Sequence, residues 1–146
     1  MKRSKTWDIS ELREAFRSSG TRLTAQREAV WRLFAGNPAG FTIADAVTKL
    51  KPKGIGLATV YRTIALLEKL DFLRHVHAEG LEHRFVATQP GHRHSLVCRS
   101  CGKVVEFEAC GLSVVERMLT AETGFRVEGH YLEVFGTCSI CREGRK

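Results

Sequence analysis

A chain of 146 residues with 43% hydrophobic side chains can bury the core of one ordinary domain or two small ones. No stretch approaches the roughly eighteen consecutive apolar residues of a membrane span, and the basic N-terminus is not followed by the apolar run of an export signal. We therefore expect a cytoplasmic protein that does not bind membranes. The formal charge is +7, and residues 1–63 hold 12 Lys and Arg against 5 Asp and Glu, whereas the other 83 residues hold 11 of each sign. This asymmetry favours contact between the first part of the chain and a polyanion, with a solvated basic surface as the alternative.

Four amphipathic helices are predicted in the first half of the chain. The first follows Asp8, a candidate N-cap, and stops before Gly20. The second begins after Thr24 and the third after Thr42. Apolar residues at steps of three and four then predict a longer fourth helix that ends near Asp71.

Two strand-like segments follow the fourth helix. Residues 72–78 and 82–88 flank the turn-like pair Glu79-Gly80, which predicts a hairpin. Three helices, a longer fourth helix and a two-stranded wing are the order of elements in a winged helix-turn-helix domain. We therefore expect residues 1–88 to form an N-terminal DNA-binding domain.

A second unit begins where the segment QPGHRH interrupts the pattern. We place the boundary near Pro90, so that residues 89–146 form a small α/β domain and the fold class is α+β. Its predicted elements are, in order, strands at 95–100 and 103–109, a helix over about 112–123 and a last strand over 124–137.

Four of the five cysteines form two Cys-x-x-Cys pairs, Cys98 with Cys101 and Cys138 with Cys141. An odd number of cysteines without an export signal favours a reducing compartment and metal binding over disulfides. Each pair supplies two corners of a tetrahedral zinc ion, with Zn–S distances near ~2.3 Å. Four thiolates leave no position for a catalytic water, so the predicted zinc is structural; a redox pair or unpaired buried cysteines are the alternatives.

The start of the fourth helix carries candidate DNA-reading side chains. Thr59, Tyr61 and Arg62 can project from its first turns, where a recognition helix meets base edges. Arg62 could bind a guanine through two hydrogen bonds, and Tyr61 could contact a thymine methyl or a phosphate. The alternative is a plain solvent-exposed helix face.

All the histidines lie in the second half of the chain, and five of the six fall within twenty residues of one another. Imidazole together with a carboxylate suits a borderline cation such as zinc, and ligands drawn from both domains would let a metal set the relative orientation of those domains. Taken singly, each histidine is better explained as a surface residue. The histidines are His75, His77, His83, His92, His94 and His130.

From about Gly20 onward the chain resembles the ferric uptake regulator family. The motifs that carry the resemblance are Leu23-Thr24-x-x-Arg27, Gly56-Leu57-Ala58-Thr59-Val60-Tyr61-Arg62, the His-rich run before Leu96-Val97-Cys98, and Cys101-Gly102-Lys103-Val104-Val105-Glu106-Phe107. The resemblance implies a homodimeric repressor, with a C-terminal dimerisation domain, that binds a palindromic, AT-rich double-stranded operator when its regulatory metal is bound. It also implies that Tyr61 and Arg62 enter the major groove and that Arg22 lies near the minor groove.

The sensor residues depart from the iron-sensing pattern of that family. Phe41 stands where many members carry a ligating His, Val86 stands where a ligating Glu is usual, and the His-x-His motif is set back by one residue. The remaining set resembles the zinc uptake regulator branch, which implies a second, regulatory zinc ion, with Fe²⁺ or Mn²⁺ as alternatives. That set is His77, His83, His92, His94 and Glu106.

Further metal ligands are also possible. His130 could join His92 or His94 in another site, although Ser113 stands where other family members supply an acidic partner and Glu116 lies nearby. His75 and Cys110 are additional candidates, with a small core residue as the alternative role for Cys110.

The rival functions have weaker support in the sequence. An enzyme is not expected, because the chain lacks a His-Glu-x-x-His helix, a nucleophile elbow and a phosphate-binding loop. A peroxide sensor of the same family would keep the fold and change the signal. A metal-storage or protein-interaction module would not explain the one-sided charge.

Overall fold

The computed structural model describes residues 8–77, 82–89 and 91–144. The predicted turn Glu79-Gly80 and the predicted boundary residue Pro90 lie outside these ranges. The elements confirm the expected α+β order, and no helix in the described ranges is long and apolar enough to cross a membrane. The elements are α1 Ile9–Ser18, α2 Ala25–Ala35, α3 Ile43–Leu50, a 3₁₀ turn Lys51–Lys53, α4 Leu57–Lys69, β1 Leu73–Val76, β2 Arg84–Ala87, β3 His94–Cys98, β4 Val104–Phe107, α5 Ser113–Thr123, β5 Glu133–Gly136 and α6 Ser139–Arg142.

Side-chain caps begin α2 and α3 at the predicted residues. The Thr24 hydroxyl accepts a hydrogen bond from the amide of Arg27 at 3.3 Å. Thr42 and Asp45 cap each other's backbone amides, at 3.0 and 3.2 Å. These bonds satisfy amide groups that the first turn of a helix leaves without an intrahelical partner, so the two helix starts are determined locally.

The four N-terminal helices enclose one apolar core. Phe16 of α1 and Phe34 of α2 are fully buried, and each contributes about 1.5–3 kcal/mol through the apolar surface it removes from water. Helix α4 crosses this core and buries Val60, Ile64 and Leu67 on one side. Its opposite side faces solvent, as a DNA-reading helix requires.

The hairpin β1–β2 lies against this helical core. Its strands pair antiparallel, from Leu73 opposite Ala87 to Val76 opposite Arg84. Phe41, in the loop before α3, exchanges two backbone hydrogen bonds with Phe85 of β2, at 2.9 and 3.0 Å. The hairpin is therefore tied to the helices by backbone as well as by side chains.

A second sheet contains three strands in the order β4-β3-β5. Strand β3 pairs antiparallel with β4 and parallel with β5. The prediction of one strand over 124–137 is wrong for its first part, since only Glu133–Gly136 is extended and paired. The physical reason is that β3 is five residues long and pairs with β5 only from Ser95 onward, so the residues before Glu133 have no neighbouring strand in the part of the chain that the structure describes.

A small apolar cluster joins the hairpin to the second sheet. Val76 and Val86 of the hairpin pack with Val97, Val104 and Phe135 of the three-stranded sheet. The hairpin thus contacts both the helical core and the second sheet. The division into domains at residues 88 and 89 stays a prediction.

Candidate metal centres and nucleic-acid interface

The outer side of α4 presents two of the predicted DNA-reading residues to solvent. Tyr61 is 60% exposed and Arg62 is exposed beside it, whereas Thr59 is half-buried. The guanidinium of Arg62 donates to the carbonyl of Ala58 at 3.1 Å, which keeps it along the helix surface. Arg22 is exposed in the loop before α2.

The four predicted zinc-binding cysteines meet at one end of the second sheet. Their sulfur atoms all lie within 4.8 Å of one another, although Cys98 ends β3, Cys101 lies in the following turn, and Cys138 and Cys141 belong to the α6 segment. Gly102 adopts a φ of 74°, a left-handed conformation that suits the tight turn after Cys101. Four sulfur atoms at this spacing fit the tetrahedral coordination of zinc.

Hydrogen bonds shift the pKa values of two of the four thiols in opposite directions. The backbone amides of Cys138 and Cys101 donate to the Cys98 sulfur and lower its pKa from 9.0 to about 6. Hydrogen bonds with the thiols of Cys138 and Cys101 raise the pKa of Cys141 to about 12. Cys98 is therefore prepared as a thiolate, whereas binding of zinc must displace the proton of Cys141.

A second group of candidate ligands, the hairpin cluster, consists of His75, His77 and His83. The ring centroid of His75 lies 3.8 Å from that of His77 and 5.0 Å from that of His83. His75 and His77 are two residues apart on an extended segment, so their side chains share one side of the hairpin. Burial lowers the pKa of His75, and the neighbouring His77 and His83 lower it further, which favours the neutral imidazole that metals bind.

The hairpin cluster touches the second sheet through a carboxylate. Glu133 of β5 accepts the backbone N–H of His77 with its two carboxylate oxygens, at 3.1 and 3.3 Å. Sequence reasoning missed Glu133, because no local pattern relates it to a histidine 56 residues earlier. This bond holds a carboxylate at the junction of hairpin and sheet, outside the group of three imidazoles.

A third group, the sheet-end cluster, consists of His92, His94, Cys110 and His130. Their ligand atoms all lie within 4.8 Å of one another. The Nε2 atom of His130 is 3.1 Å from Nε2 of His92, 3.4 Å from Nε2 of His94 and 3.3 Å from the Cys110 sulfur. His130 and Cys110, which the sequence suggests only as further candidates, are thus central to this group.

The structure divides the residues that were predicted as one regulatory site. His77 and His83 belong to the hairpin cluster, His92 and His94 belong to the sheet-end cluster, and Glu106 is in neither group within the described residues. The reason is strand alternation. Glu106 pairs with Ser95, and side chains of adjacent residues such as His94 and Ser95 project from opposite faces of a sheet.

Glu106 is a carboxylate that makes no hydrogen bond with a side chain among the described residues. Both of its oxygens are buried, and burial raises its pKa against the opposing effects of Arg74, Arg93 and the backbone of Gln89. Ser95, its neighbour across the strand pair, also has a buried hydroxyl that lacks a partner there. Such groups are costly unless a ligand or water satisfies them.

Both histidine clusters open onto one cleft of about 950 Å³ between the hairpin and the second sheet. Its lining includes His75 and His77 of the hairpin, His92, His94 and His130, and Glu133 of β5. The arrangement can hold borderline divalent cations at two positions of this cleft, in addition to the four-cysteine site.

A winged helix followed by a small α/β unit with three clusters of metal-binding side chains defines the class of metal-responsive transcriptional regulators. The model of the ferric uptake regulator family matches residues 18–135, and the chain belongs to that family.

Similar proteins include several kinds of regulator. The peroxide operon regulator of Bacillus subtilis is 30% identical over 136 residues, which cover 92% of this chain and 93% of that protein. A zinc uptake regulator solved in complex with zinc and DNA is 26% identical, with a TM-score of 0.77 and 93% of each chain covered. The ferric uptake regulator of Vibrio cholerae is also 26% identical, with a TM-score of 0.61 over 87% of this chain and 99% of that one.

Proposed function

We propose that this protein is a cytoplasmic, zinc-responsive transcriptional repressor, not an enzyme, that binds operator DNA as a homodimer and represses metal-uptake genes. The observation that carries the proposal is the cleft between the hairpin and the second sheet, where histidines converge at the junction of the two units. A metal bound there changes how the DNA-reading part is held relative to the rest of the chain.

The DNA-binding surface in this proposal is the outer side of α4 with the loop before α2. Arg62 and Tyr61 are exposed where a recognition helix contacts base edges, and Thr59 precedes Tyr61 by two residues. Arg22 is exposed on the adjoining loop. The positive balance of residues 1–63 supplies the attraction to phosphates that precedes base contact.

Dimerisation in this proposal uses α5 and the outer face of the second sheet. Helix α5 buries none of its side chains, and its apolar residues Val114 and Met118 are 52% and 55% exposed. Leu96 and Val105 are paired across the sheet and are also exposed. Apolar surface of this kind is typical of an interface that a second copy covers.

The metals are assigned by ligand chemistry. The four cysteines would hold a structural zinc ion, because thiolates at all four corners leave no exchangeable position. The hairpin cluster, with Glu133 beside it, would hold the sensed ion, because a metal there reinforces the contact between the His77 amide and β5. Three imidazoles suit zinc, with ferrous iron and manganese as alternatives, and the experiment identifies the metal.

The experiment measures DNA binding at buffered free zinc, iron(II) or manganese(II), with a fragment that the metal-loaded protein selects from a random pool. We expect one zinc ion per chain to resist chelation and DNA affinity to follow a second, weakly held zinc ion. The double variant His77→Ala, His83→Ala should lose the metal response and keep the chelation-resistant zinc. DNA binding that follows iron or manganese, or that needs no second ion, would overturn the assignment of zinc as the signal.

A second candidate function is peroxide sensing, which the likeness to the Bacillus subtilis peroxide regulator supports. Treating the iron-loaded protein with hydrogen peroxide distinguishes the two. Release of DNA with oxidation of a histidine would favour the peroxide sensor, whereas unchanged DNA binding by the zinc-loaded and iron-loaded forms would exclude it.

A further inference from the structure

Leu57 begins α4 with an apolar side chain that the helical core does not use. The residue is 60% exposed, and it is not among those that pack against that core in the described part of the chain. Tyr61, four residues further along the same face of the helix, is also 60% exposed. A helix that buries one side normally presents polar residues on the other, so an exposed apolar pair at this position indicates a partner surface.

The residues around Leu57 and Tyr61 leave room for a close approach. Gly56 directly precedes Leu57, and open space lies where a Cβ atom on Gly56 would stand. The exposed residues Ala58 and Ala65 of the same helix have small side chains. Leu57 and Tyr61 are therefore the large apolar groups that α4 presents to a partner.

The charges near this apolar pair favour a polyanion as the partner. Helices α1, α2 and α3 each carry an acidic residue in the first turn, where the helix dipole favours it, but α4 carries none. Lys51 and Lys53 are exposed in the turn before α4, and Arg62 is exposed beside Tyr61. A second copy of this surface would be repelled, because residues 1–63 have an excess of positive charge.

The major groove of DNA combines the two properties that this surface requires. Its phosphates attract the positive charges, and the C5 methyl group of thymine is the apolar group that its base edges present. The first turns of a recognition helix are the part that reaches those edges, and Leu57 is the first residue of α4.

We propose that Leu57 is a specificity-determining residue of the DNA interface, and that it selects thymine at one operator position by covering the C5 methyl group while Tyr61 packs beside it. The inference rests on the proposed function, because it needs an operator. Arg62 reads hydrogen-bonding groups, whereas Leu57 reads an apolar group, so the two residues select different base pairs. Burial of one methyl group raises the affinity about fourfold.

Deoxyuridine tests the methyl contact without any change in the protein. The unmodified chain with zinc bound is titrated with the duplex that it selects from a random pool. Each thymine of one half-site is replaced in turn by deoxyuridine, which lacks only the methyl group. We expect one or two of these replacements to weaken binding about fourfold, as measured by fluorescence anisotropy at constant salt, and the others to leave the affinity unchanged.

Two variants of Leu57 assign the methyl contact to its side chain. Leu57→Met keeps an apolar side chain, whereas Leu57→Gln has nearly the same shape as the Met variant but a polar end, and both new residues are good helix formers. Leu57→Met should retain the fourfold response to deoxyuridine. Leu57→Gln should bind the thymine duplex about fourfold more weakly and should bind the thymine and deoxyuridine duplexes equally. Both variants should keep the wild-type melting temperature, because Leu57 lies outside the helical core.

The outcomes separate this inference from the proposed function. A chain that selects no duplex at any metal concentration would overturn both. Selective binding in which no deoxyuridine replacement weakens the wild-type complex, or in which Leu57→Gln responds to deoxyuridine as the wild type does, would overturn the role of Leu57 alone. That role is also overturned if Leu57→Gln keeps the wild-type DNA affinity and changes the association state in sedimentation, because Leu57 then contacts a second copy of the chain.

Discussion

The substitution Gly40→Ala would test how firmly the hairpin is held against the helices. Gly40 has a φ of 69°, where side chains other than glycine's are strained. A Cβ atom at this position would overlap the carbonyl oxygen of Phe85 and come within 2.7 Å of the Val86 side chain. The Phe85 carbonyl belongs to the backbone bridge with Phe41, so the bridge must open to make room.

The expected loss can be worked out from these contacts. The left-handed backbone costs about 1–2 kcal/mol for a residue with a Cβ atom. Opening the two hydrogen bonds between Phe41 and Phe85 costs about 0.5–1.5 kcal/mol for each bond. Gly40→Ala should therefore lower the free energy of unfolding by about 2–5 kcal/mol.

Gly54→Ala is the matched control, because Gly54 has a φ of 70° and no atom lies within 4 Å of its added Cβ. It should cost only the backbone term of about 1–2 kcal/mol. Urea unfolding of the two variants, followed by far-ultraviolet circular dichroism at fixed zinc, measures the difference. Equal losses in the two variants would refute the argument from close packing against β2.

Three other substitutions test the DNA-binding surface, the structural zinc site and the buried carboxylate of Glu106. Arg62→Ala should weaken DNA binding by about 5–150-fold, or 1–3 kcal/mol, without changing the melting temperature of the protein. The control variant Arg126→Ala, at another exposed arginine, should keep the wild-type DNA affinity. Fluorescence anisotropy at constant salt measures both affinities, and equal losses in the two variants would exclude a specific contact of Arg62. Cys101→Ser should lose the chelation-resistant zinc and the ordered second sheet. Metal analysis and circular dichroism measure these losses, and a retained zinc ion would contradict the four-cysteine site. Burial raises the pKa of Glu106 above 4.5, so its contribution to stability is complete below that pH and is lost as the pH rises through the raised pKa. In protein that carries zinc only at the four cysteines, Glu106→Gln should therefore have a higher unfolding midpoint than the unmodified chain at pH 7. This advantage should shrink as the pH falls toward the raised pKa, and an unchanged midpoint at pH 7 would argue against an uncompensated charge.

The parts of this protein that depend on neighbouring residues were predictable from the sequence. Thr24 and Thr42 start helices because each caps amides within three residues of itself. The apolar spacing of α4 determined which side is buried, and so which side leaves Tyr61 and Arg62 exposed. The two Cys-x-x-Cys pairs indicated one metal site, because each pair already contains half of a tetrahedron.

The grouping of the histidines was decided only by the tertiary structure. His92 and His94 lie close to His77 in the sequence, yet they meet Cys110 and His130, while Glu133 reaches the His77 amide. These contacts depend on the parallel pairing of β3 with β5, in which Ser95 lies opposite Glu133.

That register places Val97 and Phe135 on one face of the sheet, where they pack against valines of the hairpin. A shift of one residue would move every side chain of β5 to the opposite face and would separate Glu133 from the hairpin. Because apolar burial between distant segments sets the register, no local pattern in the sequence specifies which histidines come together.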